Sequence, residues 1–228
     1  MKQGFMIQEQ WSAVDRYFTD LLVPSDPALD AALDTSAAAG LPPHNVSPNQ
    51  GKLLLLLAQL QGARTILEIG TLGGYSTIWL ARALPPDGHL ITLEADPKHA
   101  QVALTNIARA GLAEIVELRL GRALSTLEQL ATEGSGPFDL IFIDADKASN
   151  PDYLAWALKL SCRGSLIIAD NVVRDGEVVN AASEDPSIQG VRRFNELLAT
   201  ERRVSATAIQ TVGSKGYDGF VLALVTTD

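Results

Sequence analysis

Two acidic clusters carry the chemistry this chain can do, Asp144-Ala-Asp-Lys147 and Asp170-Asn171. Each stands at the end of an apolar, strand-like run, Phe138-Asp-Leu-Ile-Phe-Ile143 and Ser165-Leu-Ile-Ile-Ala169. Carboxylates and an amide at the carboxyl ends of neighbouring strands form an oxygen-donor site for a hard divalent cation. Lys147, just past the first Asp, is a candidate proton acceptor; the competing reading is an ion pair that balances Asp144 and Asp146. Asn171 reads either as a neutral oxygen ligand or as a turn residue after a strand, and its adjacency to Asp170 favours ligation.

A second group lies nearer the N-terminus. Leu67-Glu-Ile-Gly-Thr-Leu-Gly-Gly-Tyr-Ser76 follows a strand and opens a helix. Gly70, Gly73 and Gly74 permit a tight turn and close approach of a ligand to the backbone. The spacing is not G-x-G-x-x-G, so a dinucleotide reading is weakened, and glycines serving only the turn remain the alternative. Glu68 is a carboxylate at a strand end, costly to bury without a partner. Glu94 ends the next strand at roughly the 20-residue distance from the glycine turn where a ribose diol is gripped. Gly121-Arg-Ala123 ends the third strand on the same side, where backbone groups can meet an adenine edge.

The elements that must position these residues alternate. Helical spacing covers 7–22 and 26–39, and a third helix starts near Ser47-Pro48 and carries a leucine run at 53–60 that reads as a buried face. Strands are expected at 65–69, 89–94, 115–120, 138–143, 164–169, 203–210 and 218–226, with helices at 75–84, 97–110, 122–132, 151–161 and 188–200. This is an α/β pattern, a doubly wound, mostly parallel sheet of seven strands. Gly213-Ser-Lys-Gly216 is too short for a crossover, so the last two strands form an antiparallel hairpin at the sheet edge. Residues 171–187 show no periodicity, and a loop that long in a compact domain is often functional. Asn150-Pro-Asp-Tyr153 imitates a motif of amino-group methyltransferases but falls beyond the strand end; Asn150 is expected to cap a helix.

Composition narrows the class. The chain has 228 residues, 46% of them hydrophobic and 20% charged, enough for one domain with a full core. Eighteen basic against 27 acidic residues give a net charge of −9, which repels a phosphate backbone and argues against a nucleic-acid partner. The single cysteine, Cys162, excludes an intramolecular disulfide and a cysteine-based metal cluster. No signal peptide is visible in residues 1–10, and no apolar run approaches the roughly 20 residues of a membrane span, so a soluble cytoplasmic protein without a membrane partner is expected. His44, His89 and His99 share no ligand spacing, and Trp79 and Trp156 read as core.

The ordered set of motifs resembles the cation-dependent class I O-methyltransferases that use S-adenosylmethionine, the group of catechol and caffeoyl-coenzyme A O-methyltransferases. The likeness rests on Val46-Ser47 with Gln50-Gly51, Leu67-Glu-Ile-Gly-Thr71, Gly74-Tyr-Ser76, Thr92-Leu-Glu94, Phe142-Ile-Asp-Ala-Asp-Lys147 and Asp170-Asn171, spanning about residues 40–175. The resemblance implies a Rossmann-like core at 64–228 behind N-terminal helices at 1–60, all one domain. It places Val46, Glu68, Gly70, Thr71, Ser76, Glu94, Ala123 and Asp146 around S-adenosylmethionine. It gives Asp144, Asp170 and Asn171 the metal, Mg2+ first with Ca2+ or Mn2+ as alternatives, and makes Lys147 the catalytic base. It also implies a homodimer and a phenolic small-molecule acceptor, a vicinal dihydroxy aromatic on the metal argument. The segment Lys215-Gly-Tyr-Asp-Gly-Phe220 lacks the glutamate that holds the second catechol oxygen in the animal enzymes, and nearby Asp218 is not assigned that part. Two rival classes are a nicotinamide-dependent oxidoreductase, which needs no metal, and a non-catalytic S-adenosylmethionine-binding protein.

Overall fold

Short polar residues followed by proline set four of the helix starts. Asp26 caps α2 (Pro27–Ala38), Ser47 caps α3 (Pro48–Gln61), Asp96 caps α5 (Pro97–Arg109) and Asp185 caps α8 (Pro186–Thr200), each side chain accepting from backbone N–H groups of the first turn. Proline suits that turn because it has no N–H to leave unpaired. The remaining helices are α1 (Lys2–Leu22), α4 (Tyr75–Ala81), α6 (Ala123–Glu133) and α7 (Asn150–Lys159). The computed structural model describes residues 2–227, with side chains from residue 7 onward; Met1 and Asp228, the ends of the expected domain, lie outside the described residues.

The strands are β1 (Thr65–Ile69), β2 (His89–Glu94), β3 (Val116–Leu120), β4 (Leu140–Ile143), β5 (Leu166–Asp170), β6 (Val204–Gly213) and β7 (Gly216–Val225). They form one sheet in the order β3-β2-β1-β4-β5-β7-β6. β1 to β5 pair in parallel, and β7 pairs antiparallel with both β5 and β6, as the hairpin expectation requires. The central strands are apolar runs because both sheet faces are covered. One face buries Leu67, Ile141, Ile143 and Ile167 with Leu127, Leu154 and Phe194 from α6, α7 and α8. The other buries Ile66, Leu140, Phe142 and Ile168 with Leu54, Ile78 and Trp79 from α3 and α4. Among the described residues no helix is long and apolar enough to cross a membrane.

Three expectations change. The leucine run of α3 is not uniformly buried: Leu54, Leu55 and Ala58 are inside, whereas Leu60 is 84% exposed, because a helix beside a sheet buries one stripe only. Residues 171–187 are not wholly irregular, since a 3₁₀ turn kinked at Asp175 and Gly176 runs from Arg174 to Val179. Asn150 does not cap α7. Asp146 caps the preceding 3₁₀ turn at Lys147–Ser149, which runs directly into α7, and the Asn150 side chain is wholly buried.

Candidate active site

The site sits where the chain reverses direction across the sheet. From β1 it winds outward through β2 and β3, then returns to β4 on the other side of β1 and continues to β5. The carboxyl ends of strands flanking such a switch point form the crevice in which open α/β sheets bind ligands. Register brings the candidates to that edge: Ile69 pairs with both Leu93 and Ile143, and Ile143 pairs with Ala169. Gly70, Glu94, Asp144 and Asp170 therefore emerge side by side.

On the β1–β2 side every carboxylate is satisfied by the protein. Glu68 is fully buried, accepting from Ser76 Oγ at 2.6 Å, from Thr92 Oγ1 at 2.7 Å and from the Thr77 hydroxyl. Burial pushes its carboxyl up to about 7 despite those hydroxyls, and the charge of Asp144 adds to the rise. Thr71 joins the cluster through a 2.6 Å hydroxyl contact to Thr92. Glu94 accepts from Leu72 N at 2.8 Å through Oε2 and from Ala95 N and Asp96 N at 2.9 Å through Oε1. His99 Nδ1 lies 3.6 Å from that same Oε1.

The glycine turn is also a packing feature. A Cβ on Gly70 would lie 2.2 Å from the backbone oxygen of Asp144, and one on Gly73 would lie 2.1 Å from Ser36 Oγ. These glycines are needed so that β4 and α2 can close on the turn, which brings the turn against the Asp144 cluster. Gly70 and Gly74 also take φ of 103° and 81°, conformations that favour glycine. Val46 is buried at the entry to α3, and Ala123 begins α6 beyond Gly121.

On the β4–β5 side the carboxylates crowd one another. Lys147, 8% exposed, donates from Nζ to Asp144 Oδ1 at 2.8 Å. Burial raises the Asp170 carboxyl well above its usual range, and repulsion from Asp144 raises it further against the pull of Lys147. Asp170 accepts from Asn171 N at 2.8 Å through Oδ1 and from Gln50 Nε2 at 2.7 Å through Oδ2. Asn171 adopts φ 57°, the left-handed turn that asparagine tolerates, so the turn reading of this residue holds for its backbone. Asp146 faces the other way, accepting from Tyr153 Oη at 2.6 Å and Ser149 N at 3.1 Å. Burial opposes its ionisation, but these bonds outweigh burial and hold it below the usual carboxylate range. The Lys147 ion pair therefore involves Asp144 alone.

Two carboxylates under mutual repulsion beside an amide-bearing side chain are a donor set that suits a hard divalent cation. Among the described residues no three His, Cys, Asp or Glu side chains gather as a metal site, so a cation here would depend on the Asn171 oxygen. Asp218 is occupied elsewhere. Its Oδ1 accepts from the backbone N of Val173, Arg174 and Gly219 at 2.9 to 3.0 Å, tying the 171–187 segment to β7.

Gln50 enters the sequence reading only within the motif Gln50-Gly51, with no role assigned, and Gly190 does not enter it. Gln50 meets Asp170 across 120 positions of chain, a contact no local pattern encodes. A Cβ on Gly190 would lie 2.2 Å from the Lys147 backbone oxygen, so this glycine lets α8 press on the turn that carries the lysine. Its only local signal is a glycine inside a helix, which costs about 1 kcal/mol relative to alanine.

Comparison with known proteins agrees with this fold. The model of the O-methyltransferase family matches residues 25–224. A catechol O-methyltransferase of Niastella koreensis is 57% identical over 96% of this chain and 100% of its own length. The crystal structure of an O-methyltransferase from Bacillus cereus in complex with SAH superposes with a TM-score of 0.95 at 61% identity, covering 96% of this chain and 100% of that one. The O-methyltransferase TomG from Streptomyces achromogenes, involved in tomaymycin synthesis and solved with SAM, gives a TM-score of 0.93 at 54% identity over 96% and 98% of the two chains.

Proposed function

We propose that this chain, which belongs to the O-methyltransferase family and is an S-adenosylmethionine-dependent O-methyltransferase, methylates one hydroxyl of a vicinal dihydroxy aromatic with the help of a divalent cation. Family membership sets aside the nicotinamide-dependent and non-catalytic readings. The observation that carries the proposal is the crowded pair Asp144 and Asp170, set beside Lys147 and Asn171 and packed against the Gly70 turn. Asp144, Asp170 and Asn171 are the proposed ligands, for Mg2+ first and for Ca2+ or Mn2+ as alternatives.

When bound, S-adenosylmethionine supplies an electrophilic methyl and the cation supplies a Lewis acid that stabilises a phenolate. The chain's own part is to bind, orient and move one proton. A phenol with an ordinary pKa near 10 is mostly protonated at neutral pH and a poor nucleophile. Lys147 Nζ would take that proton, which requires it to be the neutral amine rather than the ammonium paired with Asp144, and the close packing of α8 on its backbone fixes the turn that carries it. Glu94 is the group for the ribose hydroxyls, while Val46, Glu68, Gly70, Thr71, Ser76, Ala123 and Asp146 complete the cofactor wall. Alignment of acceptor and methyl then accounts for much of the remaining rate, as well-oriented pairs reach very large effective molarities. A homodimer fits the exposed apolar side chains of α1, among them Tyr17, Phe18, Leu21 and Leu22.

The test is methyl transfer from S-adenosylmethionine to a panel of catechol-type acceptors, with magnesium and with chelator, on wild type and Asp170→Ala. Product that needs magnesium and Asp170 is expected. Chelator-resistant product keeps the methyltransferase and removes the metal site.

A further inference from the structure

We infer that Gln50 is a positioning residue for the metal site, holding Asp170 in the orientation that binds a divalent cation and keeping it away from Lys147; this rests on the metal reading above. Gln50 lies in the first turn of α3, and its Nε2 donates to Asp170 Oδ2 at 2.7 Å. Three contacts lock that turn. Ser47 Oγ accepts from Gln50 N at 3.2 Å. Asn49 Nδ2 donates to Asp15 O of α1 at 3.2 Å. Gly51 lies flat against Trp79, where a Cβ would come within 2.4 Å of the indole. The Gln50 amide is therefore delivered by a rigid element rather than by a mobile side chain on a loop.

The choice of donor matters. Asp170 Oδ1 already accepts from Asn171 N at 2.8 Å, so with Gln50 on Oδ2 both oxygens are oriented by neutral donors. Neutral donors fix direction and leave the negative charge for a cation. The available cationic donor is Lys147, which already pairs with Asp144 at 2.8 Å and whose charge also acts on Asp170. Released by Gln50, Asp170 turns toward that ammonium, and both proposed metal carboxylates then share one lysine. Outer-shell partners of metal ligands are worth roughly 10- to 100-fold in metal affinity.

The experiment is a Mn2+ titration followed by electron paramagnetic resonance on wild type, Gln50→Met, Gln50→Asn and Asp170→Ala. S-adenosylhomocysteine affinity and melting temperature are measured on each. Methionine keeps the length and volume of glutamine and loses the donor; asparagine keeps the amide on a shorter stem. Gln50→Met is expected to weaken Mn2+ binding about 10- to 100-fold, with Gln50→Asn in between, at wild-type S-adenosylhomocysteine affinity and melting temperature. Wild-type Mn2+ affinity in both Gln50 variants overturns this inference alone. A parallel loss of S-adenosylhomocysteine binding also overturns it, since α3 then acts as general scaffold. Mn2+ that stays free with wild type and Asp170→Ala alike removes the metal site, and the inference with it.

Discussion

The two halves of the site handle negative charge in opposite ways. On the β1–β2 side Glu68 and Glu94 spread their oxygens over three hydroxyls and three backbone N–H groups, so each carboxylate is complete within the protein. On the β4–β5 side Asp144 and Asp170 repel each other, and the one lysine there pairs with Asp144 alone. Both halves hold non-glycine residues at positive φ, Leu72 in the glycine turn and Asn171, Arg174 and Asp175 after β5. Apart from Asn171, whose residue type tolerates it, such conformations cost of order 1–3 kcal/mol each and persist where the surroundings enforce them, often at functional sites. One half is complete as a hydrogen-bonding cradle; the other is short of positive charge, which is how the proposed cation site differs from it.

The largest effect that sharpens this contrast is at Lys147. Lys147→Met is expected to lower kcat by about 10²- to 10⁴-fold, the usual worth of a general base, while Mn2+ affinity holds or tightens as Asp144 loses its ammonium partner. Turnover close to wild type with metal still bound would show that Lys147 is only a counter-ion. Glu94→Ala ranks next and breaks the other half. It removes the acceptor of three N–H groups, and the KM for S-adenosylmethionine is expected to rise about 10- to 100-fold, matching the roughly 1.5–3 kcal/mol of bonds to a charged group. Mn2+ affinity should not follow; if it does, the halves are not separable.

The smallest effect is on stability. A carboxyl whose pKa is higher in the folded state holds protons there that the unfolded chain releases, so its contribution is whole below the unfolded value and lost as pH rises through the folded one. Glu68 meets this condition between its ordinary 4.5 and about 7, and Asp170 is shifted in the same direction. In chelator, the melting temperature is therefore expected to fall from pH 5 to pH 8 and to level off above. The carboxylates held low, Asp26, Asp96, Asp146 and Glu201, act on the acid side of that window. Glu68→Gln should flatten part of the fall, and magnesium should restore the pH 8 value by taking the ionised form of Asp170. A pH-independent melting temperature in chelator would contradict the buried-carboxyl account.

The alternation of apolar runs with capped helices was legible because its signals are local. Asp96-Pro97 and Ser47-Pro48 are local helix-start signals and begin α5 and α3, and β1 and β2 fall on the expected 65–69 and 89–94. The acidic residues at strand ends were legible for the same reason, since a parallel sheet puts the carboxyl ends of its strands on one edge. Asn150 misled because proline after asparagine is a good local cap signal, while the cap actually used comes from Asp146 through a 3₁₀ turn that the pattern does not mark.

The sequence alone determined the order of strands and helices, the residue types at the sheet edge and the family those motifs resemble. Each of these depends on neighbours a few positions apart. The tertiary structure decided which carboxylates are satisfied and which are not, that Asp146 turns to Tyr153 and leaves Lys147 to Asp144, that Gly70 closes on Asp144, and that Gln50 reaches Asp170. Those outcomes depend on desolvation and on donors brought from distant parts of the chain, and both are set only when the helices have packed against the sheet.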